Sequence, residues 1–192
     1  MADHASRASP FDPAKRYTWA DCKRHPEFTR LELIDGRVVM SPSPKRSHQT
    51  VLNRLFAALL AFLDGDVEKI YLAPMDVFLQ PGMTDEAATR VVQPDLLVVL
   101  DPEKLAEDGI RGAPDFVVEV MPESSARKDL LEKRRLYEEA GVGEYWVVDP
   151  DEARVFAWSR SPGGERFGNV VEYARGEPVA SAVLVGFSWT PE

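Results

Sequence analysis

Apolar residues recur at three- and four-residue steps at Val51, Leu52, Leu55, Phe56, Leu59, Leu60 and Leu63, a spacing that predicts a helix with a wide buried face. Ser47 can cap its start after Pro42 and Pro44, and Asp64-Gly65 ends it. A second helix is predicted over 126–140, where Ala126, Leu130, Leu136, Tyr137 and Ala140 share one arc and Gly141 and Gly143 stop the run. Three short segments are apolar without a helical period: 95–100 after Pro94, 116–120, and 145–148 before Asp149-Pro150. Runs of that length predict strands buried on both faces. Residues 70–79 read as a further strand, 80–88 as a polar loop, and 101–114 as a loop with one helical turn at 103–107.

The ends of the chain carry β patterns. Thr18-Trp19-Ala20-Asp21 fits a capping box and predicts a short helix to about Arg24. Two β-type runs, 30–34 and 37–40, flank Asp35-Gly36, the strongest short-range hairpin signal. After 154 the chain predicts a hairpin around Ser161-Pro162-Gly163-Gly164 and more β structure. The core order is helix, strand, strand, strand, helix, strand. The expected fold class is α/β (α+β), a mixed central β-sheet flanked by two main helices with extra β-hairpins at both ends. Residues 1–10 are expected to form a disordered tail and 11–192 a single domain.

Composition narrows this picture. Of 192 residues, 44% are hydrophobic and 29% charged, which excludes wholesale disorder, collagen-like repeats and a coiled coil. No apolar run approaches the ~20 residues of a bilayer span, and MADHASRASP has no apolar core, so neither a membrane segment nor a signal peptide is expected. The lone Cys22 excludes a disulfide framework and a cysteine zinc site, and a reducing, cytoplasmic location is expected. The net charge of −9 argues against nucleic-acid binding through the whole surface. Phosphate contact would need a local basic patch or a bound metal.

Candidate chemistry sits where polar residues interrupt apolar elements. Asp95 begins one buried strand and Glu119 lies inside the next. An ionised carboxylate there costs several kcal/mol unless it is paired, hydrogen-bonded or on a metal. If the strands are neighbours, ~4.8 Å apart, both carboxylates can face one Mg²⁺ or Mn²⁺. The alternative is a turn cap for Asp95 and an arginine partner for Glu119. Asp115 lies ~13 Å along the strand from Glu119, too far to share an ion, and reads as a strand-start residue. Lys133 falls in the middle of the buried arc of the second helix. Either it pairs with Asp129 and snorkels to solvent, or its ammonium reaches the carboxylates and orients a water there. Arg127, Lys128, Arg134 and Arg135 form either a solvated helix face or a phosphate-contacting patch. Glu32, His48 and Asp76 are weaker candidates, because lone residues of these types usually serve as salt bridge, cap and turn. There is no phosphate loop and no nucleophile elbow.

Several segments together resemble the Uma-two-type "putative restriction endonuclease" family. They are Leu31-Glu32-Leu33-Ile34-Asp35-Gly36, Ser41-Pro42-Ser43-Pro44 with His48, Gln93-Pro94-Asp95, and Gly112-Ala113-Pro114-Asp115 through Glu119, Asp129, Lys133 and Tyr137 to 141–150. The similarity spans about 17–188. It implies a restriction-endonuclease-like core of the PD-(D/E)XK nuclease superfamily. It also implies a metal-dependent DNA endonuclease in which Asp95, Glu119 and the Val120 carbonyl hold Mg²⁺ or Mn²⁺ and Lys133 acts in catalysis. The superfamily lysine normally follows the acid by two residues, where this chain has Met121, and the resemblance assigns its role to Lys133. Glu32, His48, Asp76, Asp129 and Tyr137 are possible supporting residues. The implied partners are double-stranded DNA and a second copy of the chain. Pro122-Glu123-Ser124-Ser125 departs from the family's usual Ser-Pro-Ser-Thr by an added carboxylate. The competing readings are a catalytically inactive nuclease-fold protein that binds DNA or another partner, and an enzyme acting on small phosphate esters.

Overall fold

The structure, a computed structural model, describes residues 9–28, 30–41, 43–121 and 127–192, with side chains from 131 onward in the last segment. Residues 1–8 of the expected tail, the 122–125 segment, the helix start at Ala126 and the side chains of Arg127, Lys128 and Asp129 lie outside the described residues.

The N-terminal signals form the elements they encode. Helix α1 (Trp19–Cys22) is closed by a capping box, in which Thr18 Oγ1 accepts from the Asp21 N–H and the Asp21 carboxylate accepts from the Thr18 N–H. Strands β1 (Leu31–Ile34) and β2 (Arg37–Met40) pair antiparallel around Asp35 and Gly36, at φ 49° and 78°. Two successive positive φ values match the right-handed twist of the strands, which is why Asp-Gly serves here. A Cβ on Gly36 would meet the Arg16 side chain at 3.1 Å. Helix α2 (Arg46–Phe62) starts with Lys45 at the cap position, so Ser47 lies inside the first turn and does not cap it.

The expected strand over 70–79 is split into β3 (Ile70–Leu72) and β4 (Val77–Phe78), which belong to different sheets. A cis Ala73–Pro74 bond lies between them. Strand β5 is Val91–Val92, and β6 is Leu96–Val98. The 101–114 loop contains a helical turn at Pro102–Lys104 and then an unforeseen hairpin, β7 (Leu105–Ala106) and β8 (Gly109–Arg111). Strand β9 (Phe116–Val120), helix α3 (Arg127–Ala140) and strand β10 (Glu144–Asp149) follow the predicted order. The tail adds β11 (Arg154–Ser159), β12 (Val171–Tyr173), β13 (Val179–Ala180) and β14 (Ser188–Trp189).

Among the described residues the central sheet has the order β12-β11-β10-β9-β6-β3. Its β9 and β10 run parallel, joined by the α3 crossover, while β6 and β11 run antiparallel to them. The N-terminal hairpin does not extend this sheet. It heads a second one, β2-β1-β5-β4-β8-β7.

Side-chain alternation assigns the faces. Leu52, Leu55 and Leu59 of α2 pack on Leu96, Val98, Phe116, Val118, Trp146 and Val148. On the opposite face Leu97, Val117, Tyr145 and Val147 meet Leu136 and Tyr137 of α3 and Ile34, Val77 and Val92 of the second sheet. Glu119 alternates with Val118 and Val120, so it points toward α3 and the second sheet. No described helix is long and apolar enough to cross a membrane.

Candidate active site

Glu119 is 5% exposed, and its hydrogen-bond partners among the described residues meet on one oxygen. Lys133 Nζ lies 2.8 Å from Glu119 Oε1, and the Tyr137 hydroxyl donates to that same atom at 2.7 Å. Lys133 and Tyr137 are four residues apart on α3, one helical turn, so both hang over the same point of β9. The second sheet contributes Glu32 from β1, 2% exposed, whose Oε1 lies 2.8 Å from Lys133 Nζ and accepts from the Gln93 backbone N–H at 2.8 Å. One ammonium thus joins carboxylates from two sheets.

Asp95 sits immediately before β6, at the end that faces Val120. Its Oδ2 accepts from the Val120 backbone N–H at 2.9 Å and lies 3.0 Å from His48 Nε2. His48 is in the first turn of α2, so Asp95 is contacted from the N-terminal end of that helix. His48 Nδ1 is buried and has no hydrogen-bond partner among the described residues.

The electrostatics follow from this packing. Burial is the largest influence on Glu119 and raises its pKa, with the Asp95 and Glu32 charges pushing the same way and Lys133 opposing. For Lys133 burial disfavours the charge, but Glu119 and Glu32 together outweigh it, and its pKa is raised, so it is an ammonium throughout the neutral range. Burial also works against the Asp95 charge, yet the His48 contact and the Val120 N–H hold its pKa below the usual value. The Tyr137 hydroxyl is pushed well up by burial and by Glu119, so it remains a donor.

No three His, Cys, Asp or Glu side chains form a metal-holding group among the described residues. The available donors are nevertheless hard oxygens. The hydrogen bonds to Asp95 fall on Oδ2 and those to Glu119 on Oε1, leaving Oδ1 and Oε2 with none from the described residues. As a donor set, carboxylate and backbone carbonyl oxygens are of the hard kind that suits Mg²⁺ or Mn²⁺ and not a soft metal.

The other candidates separate from this cluster. Asp76 accepts from the Gln93 side chain at 2.8 Å, and the Gln93 backbone N–H in turn donates to Glu32. Asp115 accepts from the Leu100 N–H at 2.7 Å, a strand-start role. Arg134 pairs with Glu138, and Arg135 with Asp35 and Glu139, so this part of the basic cluster is neutralised within the protein. Gln93 links Glu32 to Asp76, a role that its place before Pro94 did not reveal.

The fold is the restriction-endonuclease-like α+β arrangement. A solved structure with this fold is that of "a putative nuclease belonging to DUF820 from Anabaena variabilis ATCC 29413", with a TM-score of 0.67 and 16% sequence identity over 88% of this chain and 90% of that chain. Residues 19–192 match the Uma2 family, described as "Putative restriction endonuclease", and the chain belongs to that family. Comparison with curated proteins gives no match.

Proposed function

We propose that the protein is a metal-dependent DNA endonuclease that hydrolyses phosphodiester bonds. The observation that carries this reading is Lys133 Nζ at 2.8 Å from Glu119 Oε1, on a buried helix face beside the strand that also receives Asp95. Asp95, Glu119 and the Val120 carbonyl would hold Mg²⁺ or Mn²⁺. The ion, when bound, polarises the scissile phosphate and lowers the pKa of a water.

The chain's own residues do the rest. Lys133 has its proton held by two carboxylates, so it acts as a donor and a positive charge, not as a base. It would orient the attacking water and offset charge building on the phosphate. Tyr137 and Glu32 fix Lys133 and Glu119 in place. His48 and the Val120 N–H fix Oδ2 of Asp95, which turns Oδ1 to its task. The N-terminal end of α2 beside Asp95 supplies peptide dipoles of the sign that favours a phosphate. The substrate would be duplex DNA in the cytoplasm, and cutting both strands would take two copies of the chain.

The test is nicking of supercoiled plasmid with Mg²⁺ or Mn²⁺ by wild type, Lys133→Ala and Glu119→Gln purified in parallel. Loss of about 10²–10³ in rate in each variant supports the reading. Equal cleavage by all three overturns it. Absence of cleavage with steeply salt-dependent DNA binding favours a nuclease fold kept for binding.

A further inference from the structure

The N-terminal hairpin stays paired one step beyond β1 and β2, because the Ser41 N–H donates to the Arg30 carbonyl at 3.1 Å. Side chains alternate along a paired strand, so Arg30 shares the face of Glu32, about 7 Å along the strand. Leu31 and Leu33 take the opposite face, with Trp19 and Phe78. Glu32 is buried against Lys133, whereas Arg30 is half-buried, so this face runs from the interior at Glu32 toward solvent at Arg30. From Ser41 the chain leads directly to Arg46, the exposed first residue of α2, and His48 of that helix reaches Asp95. The open end of the hairpin and the start of α2 therefore border the candidate active site on its Glu32 side and its Asp95 side.

Charge pairing separates these two arginines from their neighbours. At the turn end of the hairpin Arg37 is paired with Glu132, and Arg90 and Arg135 with Asp35 and Glu139. Arg134 is held by Glu138. Neither Arg30 nor Arg46 has a salt bridge or a side-chain hydrogen bond among the described residues. In a chain of net charge −9, a polyanion is repelled by most of the surface and can be met only where cations are not already neutralised. A guanidinium suits that contact, because its planar fork donates two parallel hydrogen bonds to phosphate oxygens.

We propose that Arg30 and Arg46 hold backbone phosphates of the DNA beside the one that is cleaved, Arg30 on the Glu32 side and Arg46 on the Asp95 side. The assignment rests on the nuclease reading and adds to it the residues that hold the substrate. Neither arginine takes part in the chemical step.

The test is fluorescence anisotropy of a labelled DNA duplex of about 20 base pairs, without metal, over about 0.05–0.2 M salt. The proteins are wild type, Arg30→Gln, Arg46→Gln and Arg166→Gln. Arg166 is also exposed and without a salt bridge among the described residues, but it lies between β11 and β12. Each lost phosphate contact lowers the slope of log K against log salt by about 0.9. Arg30→Gln and Arg46→Gln should each show that loss and bind about fivefold or more weakly, and Arg166→Gln should match wild type. Arg30→Lys should keep the slope and bind about twofold or more weakly, since an ammonium cannot make the paired bonds. It also serves if Arg30→Gln does not fold, and an unchanged affinity would then overturn the contact. Unchanged slopes beside active plasmid nicking by wild type would overturn the two contacts and leave the nuclease reading standing. Lowered slopes without nicking would support the contacts and point to a nuclease fold kept for binding. Equal losses in Arg166→Gln would mean general attraction to surface charge, and no binding by wild type would mean that no DNA is held there. Both outcomes overturn the proposal.

Discussion

Glu32 and Lys133 meet at 2.8 Å although one lies on the second sheet and the other on the crossover helix of the central sheet. The same ammonium is 2.8 Å from Glu119, so the contact fixes how the two sheets and α3 sit relative to one another at the candidate active site. Both carboxylates are nearly inaccessible, and neither has another cation among the described residues.

Removing that cation should therefore be costly in a way that depends on Glu32. Lys133→Met leaves two buried carboxylates facing each other and is expected to lose about 3–5 kcal/mol. Adding Glu32→Gln removes one of the charges, and the double variant should be more stable than the sum of the single losses by more than about 0.5 kcal/mol. Urea unfolding of the four proteins without metal measures the coupling. Strict additivity would show that the three groups do not act as a unit.

His48 should matter to turnover through Asp95. With His48→Ala, Asp95 keeps the Val120 N–H and loses its side-chain partner. Metal-dependent nicking is expected to fall about tenfold, and His48→Gln, whose amide can also donate, should recover part of it. The readout is initial rate against metal concentration, and an unchanged dependence for His48→Ala would remove His48 from the site.

Glu144 is a buried carboxylate with a structural duty. Its oxygens accept from the Trp146 indole at 2.7 Å, the Ser181 hydroxyl, and the N–H groups of Ala182 and Val183 at 3.0 and 3.1 Å. Glu144→Ala strands these donors in an apolar setting and should cost about 3–5 kcal/mol, since each unpaired buried group costs about 1–3 kcal/mol. Hydrogen exchange should show the 179–189 segment losing protection first. Uniform loss across the chain would contradict a local anchor.

Cys22 gives a pH-dependent prediction. Burial, with a smaller push from Asp21, raises its thiol pKa from 9.0 to about 11. The folded state thus holds the proton more tightly than the unfolded chain. The associated stability is fully present below pH 9.0 and declines as pH rises toward about 11. Iodoacetamide should label the native protein slowly near pH 8 and the urea-unfolded protein quickly, as followed by mass spectrometry. Equal labelling rates would show that Cys22 is accessible in the native state.

Local elements were legible because their causes are local. The Thr18–Asp21 capping box, the Asp35-Gly36 turn and the apolar 116–120 run form what they encode, since caps, φ preferences and continuous burial act within a few residues. Lys133 on an otherwise buried arc was visible as a charge needing a reason, and Asp95 and Glu119 as carboxylates in strands. The periodic reading failed at 70–79, where one apolar run supplies strands to two sheets, because periodicity reports burial and not the sheet that provides it.

The sequence by itself determined the order of helices and strands, the family resemblance and the set of charged residues that had to find partners. Only the tertiary structure decided which partners they found. Glu32 reaches Lys133 because the N-terminal hairpin heads a second sheet, and Asp76 is held away by Gln93. Arg134 and Arg135 are neutralised by carboxylates on α3 and the β1–β2 turn. Burial and side-chain pairing are properties of packed surfaces from distant segments. Spacing along the chain constrains which face a residue occupies, and the opposing element is chosen by how the apolar faces close together.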